Sequence, residues 1–473
     1  FDALVERLDD LRDLGVTAIE LMPVAEFSGR RGWGYDGVGL FAPHHAYGGP
    51  DGLKRLVNAA HERGLGVVLD VVYNHLGPAG NYLPEFGPYF SRRHQTNWGD
   101  GINTDGPDSD EVRRFICDNA LSWLRDYHCD GLRLDAVHAI ADDSATHLLE
   151  QLAAETAALA AQVRRPLFLI AESDLNDPRF VRPRAAGGYG LDAAWADEWH
   201  HALHAVLTGE RDGYYDEFGS LAQLAKALRQ AWVYDGCYSP HRRRVHGRSP
   251  AGLAGSQFVV ATQNHDQAGN RAAGDRLSAL TSPGRLKIAA ALLLTSPFVP
   301  MIFQGEEWGA ASPFQYFTDH ADPSLGHAVT EGRTAEFSHF GWDPAGVPDP
   351  QDPATFERSR LDWAQIGKEP HAGLLAWYRT LIALRRRTGV LTDPRLELTR
   401  TACDEDAGWL TVTRGPVTVA CNLGRRTWTL PADKRAELIA ASDEAVCPVP
   451  GGIELPPDTV AILTGTHPSA PAP

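Results

Sequence analysis

Arg133 and Asp135 stand two residues apart in "GLRLDAVH" (131–138), within a run that otherwise reads as a strand entering a core. Side chains alternate along a strand, so both project to one face, while Leu132, Leu134 and Ala136 take the other. A carboxylate beside a guanidinium is either a paired core charge or a nucleophile that the arginine keeps ionised and oriented. The second reading needs a partner carboxyl group. Glu172 ends the apolar run "LFLIAES", where poor solvation would raise its pKa toward the range a general acid uses. Asp266 ends "FVVATQNHD" in the same way. Acids at three strand ends fit substitution at the anomeric carbon of a sugar. One carboxylate attacks and a second protonates the departing oxygen, about 5–5.5 Å away when configuration is retained. His75 and His265 can donate hydrogen bonds to sugar hydroxyls.

Such a site needs a frame that brings strand ends together. Up to about residue 345, short apolar runs alternate with amphipathic stretches, as in a parallel sheet covered by helices. Seven strands are predicted, within 15–24, 65–75, 131–137, 167–173, 191–199, 256–266 and 299–308. Helices are predicted over 51–64, with Leu53, Leu56, Val57 and Ala60 on one face, and over 144–163. A third opens at Asp108 and Glu111, spaced as a capping box, before Val112, Phe115, Ile116, Trp123 and Leu124. Residues 76–108 form a long excursion rich in Gly, Pro and aromatics. An open doubly wound sheet shares this rhythm. Asn74, His75, Asp135, His138, Glu172, His265 and Asp266 all collect at the carboxyl ends of strands, which favours a closed (βα)8 barrel with one mouth. The expected organisation is therefore a catalytic barrel over 1–385, an antiparallel β domain over 386–467 and a tail at 468–473.

The 473 residues carry a formal charge of -17 and are 43% hydrophobic, ample for a large core. That charge disfavours nucleic acid and anionic membranes and suits a neutral, hydroxyl-rich substrate. No apolar run is long enough to span a bilayer. Six sparse cysteines without a C-x-x-C pair fit free thiols and a cytoplasmic location. His44 with His45, and His200 with His201, are read as packing or surface residues, and no metal or other cofactor is assigned. The basic run "HRRRVHGR" (241–248) reads as a solvated loop. Loop aromatics, among them Trp33, Tyr82, Phe86, Trp98 and Trp308, collectively suit a groove for the apolar faces of glucose rings.

"DVVYNH" (70–75), "GLRLDAVH" (131–138), "IAES" (170–173) and "QNHDQAGN" (263–270) resemble, in order, the four signature regions of the alpha-amylase superfamily. The resemblance extends over nearly all of the chain. It implies a (βα)8 barrel and a carboxyl-terminal β domain, with Asp135 as nucleophile, Glu172 as proton donor and Asp266 as transition-state stabiliser. It also implies that Asp70, His75, Arg133 and His265 surround the sugar before the scissile bond and that Tyr35 stacks on it. Trp98, His138 and Gln267 complete the expected substrate contacts. Asn74 holds a position that helps bind calcium in many relatives, although the subfamily implied here is without that site. "ESDLNDPR" (172–179) and "QGEEWGAASPFQYFTDH" (304–320) resemble the branch acting on maltooligosyltrehalose, ahead of branching and debranching enzymes on alpha-1,4-glucans. The superfamily's first barrel strand and an amino-terminal β-sandwich would precede "FDALVERL", and this sequence does not contain them. Barrels of this type that only bind sugar lose acids of the triad; all three are present here.

Overall fold

The computed structural model describes residues 1–96, 99–339, 346–432 and 435–465, with side chains left out over 336–339. Trp98 and the expected tail at 468–473 lie outside the described residues. The chain forms two compact units. The first comprises Phe1–Trp195, Tyr316–Ala335 and Asp349–Phe356; the second comprises the described residues of Ala196–Gln315, Glu336–Pro348 and Glu357–Pro473.

The first unit is built on five parallel strands in sequential order: β1 (Ala18–Leu21), β2 (Gly66–Val71), β3 (Gly131–Leu134), β4 (Phe168–Ala171) and β5 (Ala193–Trp195). Their apolar runs are short and nearly unbroken, as strands covered on both sides require. Register sets Asp70 of β2 beside Arg133 of β3 and so places two charges in contact. Helix α1 (Gly49–Glu62) buries Leu53, Leu56, Val57 and Ala60, the face its periodicity predicts. Helix α2 (Ser109–Arg125) buries Val112, Ile116, Trp123 and Leu124, but the expected capping box does not form. Asp108 takes the left-handed conformation, φ 57°, and its side chain makes no cap bond; a side-chain N-cap needs extended backbone to turn back onto the first helical N–H groups. Helix α3 (Leu148–Val163) starts later than predicted. Asp142 accepts the N–H groups of Ser144 and Leu148, which holds 144–147 as a turn, and His147 Nδ1 caps Leu149. Within the excursion 76–108, Phe90–Thr96 pairs antiparallel with Gly99–Ile102.

In the second unit, β6 (Phe258–Ala261) and β7 (Val299–Met301) are also parallel, completing the seven predicted strands. Residues 399–464 are antiparallel. Thr399–Asp404, Trp409–Arg414, Val417–Asn422, Thr459–Thr464 and Glu437–Ala441 form one sheet in that order, and Trp428–Pro431, Gly452–Leu455 and Cys447–Val449 form another. Ala420, Leu430, Leu455 and Leu463 fill the core of this region, and Asn422 Nδ2 donates to the Leu455 carbonyl across it at 2.8 Å. Ion pairing of Arg285 with Asp458 at 2.9 Å ties the helix Pro283–Thr295 to the turn before the last strand. The basic run 241–248 contributes Arg244–His246 to a short hairpin with Cys237–Ser239, and Arg242 Nη1 donates to Glu217 at 3.3 Å. Among the described residues no helix is long and apolar enough to cross a membrane.

Candidate active site

The guanidinium of Arg133 is wholly buried at the end of β3. Its Nη1 donates to Asp70 Oδ1 and Oδ2 at 2.8 and 2.7 Å and to Asp135 Oδ1 at 2.8 Å. Nη2 lies 3.1 Å from Glu172 Oε2, an ion pair without hydrogen-bond alignment. The face of the guanidinium stacks over Trp195, 4.3 Å from the ring centre. Three carboxyl groups thus share one cation. Burial pushes Asp70 up to about 7, against the pull of Arg133 and with the charge of Asp135 adding to the shift. Asp70 is also the most deeply enclosed of the three.

Asp135 is fixed from two sides. Asn74 Nδ2 donates to its Oδ2 at 2.7 Å and to its backbone carbonyl at 2.9 Å, opposite the bond from Arg133. Glu172 Oε2 accepts the N–H of Ala136 at 2.6 Å. That bond depends on a left-handed Ala136, φ 39°, a conformation that costs a residue with a Cβ about 1–2 kcal/mol. The turn also directs the Val137 N–H to the Glu172 carbonyl at 3.0 Å, so the ends of β3 and β4 are clamped together. The side chains of Asp135 and Glu172 remain 12% and 16% exposed, whereas that of Asp70 is 2% exposed. The two expected reacting groups are therefore the open ones.

The other expected contacts take distinct places. Tyr35 donates its hydroxyl to Asp70 Oδ2 at 2.6 Å, and its ring centre lies 6.0 Å from the Arg133 guanidinium. The ring nitrogens of His75 meet two oxygens, Nε2 the Tyr35 carbonyl at 3.0 Å and Nδ1 the side-chain oxygen of Asn74. His75 braces both Tyr35 and Asn74; burial lowers its pKa, opposed by the charge of Asp135. His138 is exposed and lies 4.0 Å from Asp174. In the second unit, His265, Asp266 and Gln267 open the short helix α4 (His265–Gly269) after β6. Asn264 Oδ1 accepts the Asp266 N–H at 2.8 Å, and Gln267 Oε1 returns the bond to the Asn264 N–H at 2.9 Å. Gln267 thus commits its carbonyl to capping. His265 is buried, and its Nε2 lies 3.5 Å from the partly exposed Asp266.

Two contributors went unrecognised in the sequence reading. Trp195 lies within the run "LDAAWADEW" and ends β5, as Glu172 follows the end of β4, and a large aromatic inside a predicted strand was the available signal. Asn74 looks like a metal ligand by resemblance, but its amide nitrogen is directed at Asp135. Two groups of potential metal ligands come together elsewhere: Glu26 with His44 and His45, and His94 with Asp105 and Asp143. Most of their donor atoms already serve the protein, although His44 Nε2 lies buried 3.9 Å from Glu26 without a hydrogen bond. His45 Nδ1 meets Glu26 at 2.6 Å while His44 Nδ1 accepts the Ala46 N–H, and Asp105 accepts from His94 and from the Asp143 N–H. His200 is a core residue, its ring nitrogens meeting the Thr262 carbonyl and the Tyr215 hydroxyl.

Residues 1–98 match the family model described as alpha amylase, catalytic domain, and residues 394–462 match a domain of unknown function, DUF3459. A malto-oligosyltrehalose trehalohydrolase of Arthrobacter ramosus is 57% identical over 89% of this chain and 73% of its own length. One from Mycobacterium tuberculosis is 50% identical over 99% of this chain and 80% of its own. The crystal structure of a "putative alpha amylase" from Salmonella typhimurium is 40% identical and superposes with a TM-score of 0.88 over 98% of this chain and 79% of that one. Identity at this level over this length extends well past the signature motifs, and the chain belongs to the alpha-amylase family, in the branch of the malto-oligosyltrehalose trehalohydrolases.

Proposed function

We infer that this glycoside hydrolase cleaves the alpha-1,4-glucosidic bond next to the terminal trehalose unit of maltooligosyltrehalose, with retention, releasing trehalose and a maltooligosaccharide. The alpha-glucan class of substrate follows from the family; the trehalose end follows from the names of relatives at 50–57% identity. The observation that carries the chemistry is the single guanidinium that touches both Asp135 and Glu172. It keeps the two carboxyl groups near one another, as a double displacement needs.

Asp135 attacks the anomeric carbon, its charge held by Arg133 and its orientation by Asn74. Glu172 protonates the leaving oxygen, which departs as the terminal trehalose. The same carboxylate then takes a proton from water as that water opens the glycosyl ester on Asp135, and the maltooligosaccharide leaves. Asp266 takes the stabilising role that its motif implies. Asp70, Tyr35, His75, His265 and Gln267, with Trp98 and His138, are assigned to the sugar or to the groups that touch it. Six free cysteines support a cytoplasmic setting.

Incubation with maltooligosyltrehalose and, separately, with amylose tests the reading. Rapid release of free trehalose is expected. New alpha-1,6 branches in amylose without trehalose release would instead assign the same carboxylates to glucan transfer.

A further inference from the structure

Tyr82 and Phe86 are the two most exposed large apolar side chains among the described residues, at 70% and 81%. They lie one turn apart, flanking the 3-10 helix Leu83–Glu85 in the excursion from β2. Burial of an aromatic ring is strongly favourable, and a disordered loop would let both rings collapse onto the protein. This segment holds them out. The N–H groups of Glu85, Phe86 and Gly87 bond to the carbonyls of Tyr82, Leu83 and Leu83 at 3.0, 2.9 and 3.2 Å, and Asn81 Oδ1 caps Leu83.

Both feet of the segment are anchored. At one, Gly77 donates to the Gly37 carbonyl at 3.2 Å; a Cβ on Gly77 would meet the Asp36 carbonyl oxygen at 2.0 Å, so only glycine permits that approach. At the other, Tyr89 packs edge-on against Phe115, 5.5 Å between ring centres, and Asn103 Nδ2 donates to the Pro88 carbonyl at 2.9 Å. Tyr89 and His75 line the same small cavity, so this foot of the segment adjoins the residue that braces Asn74 and Tyr35.

We propose that Tyr82 and Phe86 form a stacking platform for glucose rings of the alpha-1,4-glucan chain beyond the reacting sugar. The proposal rests on the glucan-hydrolysing reading above. A neutral polysaccharide is the occupant that fits: each glucose presents an apolar face to an aromatic ring, two such rings stand exposed one turn apart, and the foot of the segment at Tyr89 shares a cavity lining with His75 of the candidate site. Asn81 and Glu85, at its edges, can bond to hydroxyls.

The test is the double variant Tyr82→Ala/Phe86→Ala in the full chain, with Tyr82→Trp/Phe86→Trp as control. Native electrophoresis through gels containing soluble amylose reads binding independently of which bond is cleaved: the alanine variant should lose retardation and the tryptophan variant keep it. With maltooligosyltrehaloses of increasing length, the ratio of KM for a long chain to KM for the shortest should rise about tenfold in the alanine variant. Unchanged retardation together with an unchanged ratio overturns the platform, as does a wild-type dimer that the alanine variant loses without any change in retardation, since the occupant is then a second copy of this chain. Failure to release trehalose while retardation still depends on the two rings overturns the trehalohydrolase reading and leaves the platform standing.

Discussion

Two buried arginines, one in each unit, have carboxyl groups near them, and the two assemblies are built differently. At Arg133 the cation spends its hydrogen bonds on Asp70 and Asp135 and pairs with Glu172, and two of those acids keep part of their surface open. At Arg276 the hydrogen bonds go to backbone: Nε to the Ser312 carbonyl and Nη1 to that of Gln304, both at 2.7 Å, with the guanidinium over Phe303. Burial pulls Arg276 down to about 10 and pushes Glu306 and Glu307 up to about 7 each. Glu306 is met instead by neutral donors, the Tyr378 hydroxyl at 2.7 Å and the Phe303 N–H at 3.3 Å, inside a sealed core. In sequence the acids look alike, for "LFLIAES" and "VPMIFQGEE" are both apolar runs ending in glutamate. A carboxylate bonded to a cation and open to solvent is ready to react; one capped by neutral groups and sealed holds a loop.

The largest effect expected from this contrast is that of Asp135→Ala, which removes the proposed nucleophile and should cut trehalose release by about 10⁴-fold or more while sugar binding persists. Glu306→Gln should leave kcat within about twofold, as expected of a residue outside the chemistry. Comparable losses in both variants would erase the distinction.

Glu172→Gln comes next. Loss of general acid assistance should lower hydrolysis of the natural substrate by about 10² to 10⁴, and the alkaline limb of the rate profile should disappear with the carboxyl group. A glycosyl fluoride, which leaves without a proton, should recover the first step. A surviving alkaline limb would take the acid role away from Glu172.

Asp70→Asn sharpens the first cluster through pH. An unfolded aspartate titrates near 4 and the native group at about 7, so between those values the native state holds the extra proton. Unfolding free energy from this group therefore falls as pH rises through the window, by at most about 1.4 kcal/mol per pH unit, and stays lower above it. Melting temperatures of wild type and variant, measured from pH 4 to 8, should diverge in favour of the variant as pH rises. A constant difference would show that Asp70 does not titrate there.

The smallest effect belongs to Tyr378→Phe. It strips Glu306 of its hydroxyl donor and should cost about 1–3 kcal/mol of stability in denaturant unfolding, with catalysis kept. A greater loss of activity than of stability would place the second cluster in the chemistry after all.

Periodicity was enough to read the seven parallel strands, the buried face Leu53, Leu56, Val57 and Ala60, and the antiparallel character of the carboxyl-terminal region, because each of those depends on which side chains leave water and at what spacing. Residue types likewise singled out Arg133 and Asp135, since alternation alone puts them on one face. The capping box at Asp108 failed because side-chain spacing carries no information about φ, and Asp108 is left-handed. What only the tertiary structure decided is partnership: that the Asn74 amide faces Asp135, that Trp195 lies over Arg133, and that Ala136 is twisted to hand its N–H to Glu172. Strand register and loop closure bring those groups together from distant positions, and the reactivity of a carboxyl group is set by what lies within about 3 Å of it rather than by its neighbours along the chain.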